Sequence, residues 1–85
     1  MFIALGDEHR QRILLMFEPG ERLNVGQIVA ASTLSRSAVS HHLRVLRDAG
    51  VLRSEKVGKE VQFWPDAAAV QDALTAVQDY LASHQ

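Results

Sequence analysis

Apolar side chains recur along this chain at two different spacings, and the changes between them mark its elements. Ile13, Leu14 and Phe17 form a helical stripe on a run that begins near Asp7, with Leu5 able to pack beside it. Asp7 suits the cap position, where a carboxylate accepts from the free N–H groups of the next turn. Glu18-Pro19-Gly20 breaks the run, and His9, Arg10 and Arg12 fall on its expected wet face. Asn24 is placed to cap a short second helix through Ala31, with Val25, Ile28 and Val29 facing the core. Ser32-Thr33-Leu34 reads as a tight turn anchored by a buried Leu34. Ser35 then caps a third helix that ends before Gly50, a residue suited to the left-handed conformation that closes helices.

The spacing then changes. Val51 to Lys56 and Glu60 to Trp64 are rich in β-branched, aromatic or alternating residues and predict two strands, joined by a turn at Val57-Gly58-Lys59. Pro65 ends the second strand. Asp66 caps a last helix from about Ala67 to Ser83, roughly 25 Å long at the α-helical rise. The predicted fold is mainly α with a small β-hairpin, in the order α-α-α-β-β-α, which is a winged helix-turn-helix. No linker or repeat divides the chain, so residues 1–85 are expected to form one domain, with helix 66–83 at its C-terminal end.

The third helix carries the chemistry. Val39, Leu43 and Leu46 make its buried stripe, and Arg36, Ser37, Ser40, His41 and Arg44 lie opposite. No acid occurs between Ser35 and Arg47, whereas an ordinary surface helix mixes acids with bases. Short hydroxyls allow close approach, Arg and His reach base edges or phosphates, and the helix N-terminus presents its positive dipole. A helix after a tight turn can enter the DNA major groove. Lys56 and Lys59 at the hairpin suit phosphates or an adjacent minor groove, and Arg53 is available from the strand.

Composition sharpens this picture. The net charge of −1 argues against a nucleic-acid partner until its distribution is considered. Residues 36–59 hold Arg36, Arg44, Arg47, Arg53, Lys56 and Lys59 against Asp48 and Glu55. Residues 60–85 hold Glu60, Asp66, Asp72 and Asp79 and no Lys or Arg. A basic middle suits a polyanion, and an acidic end suits a face turned away from it. The absence of cysteine excludes disulfides and thiolate metal sites and fits a cytoplasmic protein. The apolar opening Met1 to Leu5 is too short for a signal segment, and no run approaches a membrane span. No nucleophile–base pair or phosphate loop stands out, and Ser40 and His41 are adjacent on a helix rather than facing, so an enzyme is not expected. A winged helix used for protein–protein contact without operator binding is the alternative, disfavoured by the basic helix face.

Two stretches resemble a known family. Ala4-Leu5-Gly6-Asp7-Glu8-His9-Arg10 with Ile13-Leu14 resembles the opening of ArsR/SmtB-type winged-helix repressors. Leu34-Ser35-Arg36-Ser37-Ala38-Val39-Ser40-His41-His42-Leu43-Arg44-Val45-Leu46-Arg47-Asp48-Ala49-Gly50-Val51-Leu52 resembles their recognition helix. The resemblance covers nearly the whole chain. It implies a homodimeric repressor that binds double-stranded DNA at an imperfect palindrome and is released by an effector, whose identity the residues do not disclose. It places Ser37, Ser40, His41 and Arg44 at DNA-facing positions. His42 matches a frequent His before Leu, at a position open to a phosphate contact or a structural role.

The resemblance also implies two metal sites to test. Asn24 and Gly26 stand where one site has thiolates, and neither supplies a soft ligand. For the other, aligning His84 as the late ligand leaves Ala73 and Gln71 at the early ones. No metal and no cofactor are therefore expected. In the last helix Val70, Leu74, Val77 and Leu81, with Ala73 and Tyr80, form a stripe near 3.5-residue spacing. That stripe fits either the domain's own core or a second copy. The resemblance implies the second, and because only Met1 to Leu5 precedes Gly6, the dimer is expected to rest mainly on this helix.

Overall fold

Each helix start anticipated from a short polar residue is capped by that residue. Asp7 Oδ1 accepts from the N–H groups of His9 and Arg10 at 2.8 and 3.2 Å. Asn24 and Gln27 form a reciprocal capping box, each side chain accepting from the other's backbone N–H at 2.8 and 2.9 Å. Ser35 Oγ accepts from Ala38 N at 3.1 Å, and Asp66 Oδ1 from Ala69 N at 3.0 Å. Each such cap contributes about 1 kcal/mol to its helix.

The computed structural model describes residues 2–83. Its elements are α1 (Phe2–Leu5), α2 (Glu8–Leu15), β1 (Leu23–Asn24), α3 (Val25–Ala31), α4 (Arg36–Asp48), β2 (Leu52–Val57), β3 (Glu60–Pro65) and α5 (Ala67–Ser83). The expected order is present with two additions. One is the single turn α1. The other is β1, which pairs antiparallel with β3 (Leu23 opposite Phe63, Asn24 opposite Gln62) and makes the wing three-stranded, in the order β1-β3-β2. Two residues are too few to show an alternation, and their partner lies far along the chain, so this strand left no local signal.

The hairpin is tighter than expected. Val57 pairs with Glu60, which leaves Gly58 and Lys59 as a two-residue loop with Gly58 at φ +64°. Glycine at the first loop position is the II′ pattern, whose twist matches that of the strands. At the end of α4, Gly50 takes φ +79°. Gly50 N donates to Arg47 O at 2.9 Å and Val51 N to Leu46 O at 3.0 Å. These two bonds form a Schellman motif, and Val51 and Leu46 meet in the core.

The core gathers Ile13, Ile28, Val39, Leu43, Leu46, Val51, Leu52 and Phe63 from α2, α3, α4 and the sheet, with Ala4 beside them. Leu34 is half-buried against it rather than fully enclosed. Arg10 corrects the expected wet face of α2. Its side chain is 9% exposed, its Nε donates to Ala4 O at 2.8 Å, and Nη1 lies 3.2 Å from His42 Nδ1. A charge is buried only when its donors are satisfied, and here folding supplies acceptors from α1 and α4. His9 and Arg12 are exposed as expected.

Candidate nucleic-acid interface

Burial of Val39, Leu43 and Leu46 fixes which side of α4 faces outward. Ser37, Ser40, His41 and Arg44 recur three and four residues apart and therefore share one face. Ser37, His41 and Arg44 are exposed and Ser40 is half-buried. Arg36, in the first turn, is exposed beside them.

The wing is set against this face by the sheet register. Leu52, Ser54 and Lys56 lie opposite Pro65, Phe63 and Val61, so these side chains share the sheet face that carries the core residues Leu52 and Phe63. Arg53, Glu55 and Val57 lie on the other face, opposite Trp64, Gln62 and Glu60. Lys56 is thus on the α4 side of the wing, whereas Arg53 is on the outer face. Arg22 covers that outer face, with its guanidinium carbon 4.0 Å from the Trp64 ring centroid and Nη1 3.3 Å from Glu55 Oε1. The stack adds about 0.5–1 kcal/mol at such an exposed site.

Between α4 and the wing lie two neighbouring depressions. The larger, about 700 Å³, is lined by Asn24, Gly26, Arg36, Lys59, Glu60 and Val61 among others. The smaller, about 250 Å³, is lined by Ser40, Arg44 and Arg47 over Val25, Val61 and Phe63. The structure thus brings Arg36 of the helix and Lys59 of the loop to one groove, and Ser40 and Arg44 to the next. Ser37 and His41 lie along the exposed helix face, and Lys56 lines neither depression. Arg47 was not singled out from sequence as a DNA-facing residue. Its adjacency to Asp48, 3.9 Å away, suggests a solvated pair, but its spacing of three from Arg44 was the available signal. Glu60 is the one acid on the larger groove.

His42 lies on the flank of the helix, half-buried. Burial holds its imidazole below the ordinary histidine value; the carboxylate of Asp7 opposes this, and the charges of Arg10, His41 and His9 reinforce it. Among the described residues no group of three or more His, Asp or Glu is arranged to hold a metal ion, and no helix is long and apolar enough to cross a membrane. His84, tested above as a ligand, lies outside the described residues.

On the side of the molecule formed by α1, α2 and α5, a third depression of about 290 Å³ is lined by Leu5, Leu14, Leu15, Val70, Leu74 and Val77, with Gln11 as its polar member. Leu15 is 84% exposed and Leu81 55%.

Comparison with known proteins fits this geometry. The family model described as "Bacterial regulatory protein, arsR family" matches residues 7–54. The chain is 25% identical over 81 residues to the transcriptional repressor SdpR of Bacillus subtilis (strain 168), covering 95% of this chain and 89% of that protein. It is 35% identical over 80 residues to a transcriptional repressor SmtB homolog of Synechocystis, covering 94% of this chain but 60% of that longer protein. The solved structure of an ArsR-like transcriptional regulator from Rhodococcus sp. RHA1 superimposes with a TM-score of 0.80 at 27% identity, covering 96% of this chain and 74% of that one.

Proposed function

Since this chain belongs to the arsR family of bacterial regulatory proteins, DNA-binding transcriptional regulators rather than enzymes, we propose that it is a homodimeric repressor reading a palindromic operator. In this reading α4 enters the major groove, and Ser37, Ser40, His41 and Arg44 meet base edges and phosphates. Arg36, Lys56 and Lys59 hold the flanking backbone. The observation that carries it is the outer face of α4, free of acids from Arg36 to Arg47, beside a groove that Arg36 and Lys59 both line. The names of the relatives as repressors support the direction of regulation.

The second copy docks on the side formed by α2 and α5. Val70, Leu74, Val77 and Leu81 form its contact surface, and the exposed Leu15 extends it. An apolar face of this kind on so small a domain is stabilised by pairing. A two-fold axis there places two α4 helices on one DNA face, about one helical turn or more apart. The whole of residues 1–85 then acts as one DNA-binding domain whose last helix is also its dimer contact.

Selection of bound sequences from a random duplex library at moderate salt, without added metal, tests this reading. The expected result is an enriched inverted repeat. A single unrepeated half-site sinks the dimeric reading. No enrichment at all sinks the operator reading and moves protein–protein contact to the front.

A further inference from the structure

The apolar stripe of α4 fixes which side of the helix faces the core, but it sets the finer roll about that stripe less sharply than a directional contact would, because hydrophobic burial is non-directional. Among the described residues, Arg10 is the one buried charged side chain, and it supplies what the stripe lacks. Its guanidinium is a planar fork of donors that stays protonated. One prong, Nε, donates to Ala4 O at 2.8 Å, in α1. Another, Nη1, lies 3.2 Å from His42 Nδ1, in α4. Because Arg10 can only donate, His42 Nδ1 is the acceptor. That bond requires a neutral His42 with its proton on Nε2. His42 directly follows His41, which belongs to the outward face, and directly precedes Leu43 of the buried stripe.

We propose that Arg10 is a positioning residue for DNA recognition. Acting through His42, it sets the roll of α4 about its apolar stripe and so the direction in which Ser37, Ser40, His41 and Arg44 point. The proposal rests on the DNA-reading role of α4 and adds a residue of α2 that touches no DNA. It also makes the joint sensitive to acid. A proton on Nδ1 sets an imidazolium N–H against the guanidinium N–H and breaks the bond. The groups facing His42 are Arg10, Asp7 and His9 from α2 and its cap, and His41 from its own helix. The neighbouring rings lie 5.9 Å (His9) and 5.7 Å (His41) from it, centroid to centroid. Asp7 alone favours the proton. Burial and the three cationic or ionisable neighbours disfavour it.

The test joins two measurements on the full chain, with Arg10→Lys and His42→Gln as variants. Lys keeps the charge but not the fork. Gln keeps a neutral acceptor and cannot titrate. Nitrogen-15 imidazole spectra of the free protein are expected to show His42 with Nε2 protonated and Nδ1 bare. The backbone amides of residues 37–44 are expected to shift together as His42 titrates. Binding to a mixed-sequence duplex at about pH 7.5 is expected to fall on the order of tenfold in Arg10→Lys and to stay within about twofold in His42→Gln, given what one charge-assisted hydrogen bond contributes. Lowering the pH to about 5.5 is expected to weaken the wild type relative to His42→Gln. A proton on Nδ1 at neutral pH, or amides of α4 indifferent to the His42 titration, overturns the proposal. So does a wild type to His42→Gln affinity ratio that is flat with pH. Loss of duplex binding in every protein, wild type included, instead sinks the DNA reading of α4; the imidazole spectrum then still decides whether the tether exists.

Discussion

The two longest helices, α4 and α5, are both amphipathic, but they dispose of their apolar residues in opposite ways. In α4, Val39, Leu43 and Leu46 are at most 1% exposed, and its polar residues take the outside. In α5 only Ala73 is buried, while Leu74, Tyr80 and Leu81 are 46%, 48% and 55% exposed. The core cluster includes the whole stripe of α4, which lies across it. The far half of α5 runs past it. An apolar stripe that one chain satisfies is a folding device. A stripe that one chain leaves open, on a face continuous with Leu15 of α2, is left for the docking role proposed above. The basic residues follow the same division: they crowd α4 and the wing, and none occurs in α5.

Removing a residue from each stripe separates these roles most strongly. Leu43→Ala is expected to cost about 2–5 kcal/mol, the usual range for a buried leucine, read as a lower urea midpoint. Leu81→Ala is expected to change the unfolding of a dilute, monomeric sample by about 0.5 kcal/mol or less, as for an exposed site. Equal losses erase the distinction. Next in size is the double change Leu74→Asp with Val77→Asp, expected to give monomer in sedimentation with native far-ultraviolet dichroism; a persistent dimer refutes docking on α5.

Smaller effects probe the polar face of α4. Arg44→Ala is expected to weaken binding to all duplexes by about 1–3 kcal/mol and to lower the salt slope by about one. Ser37→Ala and His41→Ala are expected to re-rank sequences instead. An unchanged ranking in both, with an unchanged salt slope in Arg44→Ala, contradicts these roles.

The smallest effect is in stability against pH. His42 is held below its ordinary 6.5 and Asp7 below 3.8 in the fold. For Asp7, partial desolvation acts upward, but the backbone N–H groups of Arg10 and His9 and the charges of Arg10 and His42 outweigh it. In both cases the unfolded chain binds more protons, so stability rises with pH across each titration. The His42 contribution is complete above 6.5 and is lost as pH falls through its folded value; the Asp7 contribution is complete above 3.8 and is lost below it. Urea midpoints that do not decline on acidification through the first window, or a decline that survives in His42→Gln, contradict the assignment.

The helices were readable because their signals are local. A cap residue and the residues it serves lie within one turn, and Asp7, Asn24, Ser35 and Asp66 all cap where their positions imply. Gly58 and Gly50 mark the hairpin and the end of α4 for the same reason, since each conformation is one residue's property. The polar face of α4 was readable too, once the buried stripe fixed its rotation. β1 was not, because its stabilising partner is β3 and its two residues carry no period of their own. Nor was the pairing of Arg36 with Lys59 on one groove, which depends on how the wing is hung on the core.

Arg10 shows where local reading stops. Beside His9 and Arg12 it carries every mark of a solvated helix residue. Helical periodicity, capping and turn chemistry are short-range properties of the chain, and they determined the order of elements, the core stripe and the basic outer face of α4. Whether a charged side chain is wet depends on which acceptors other elements bring within about 3 Å. Ala4 in α1 and His42 in α4 reach Arg10 only after the helices pack. That meeting, like the groove between α4 and the wing and the open stripe of α5, was decided by the tertiary structure, because burial and acceptor geometry belong to the packed molecule and not to any stretch of the chain.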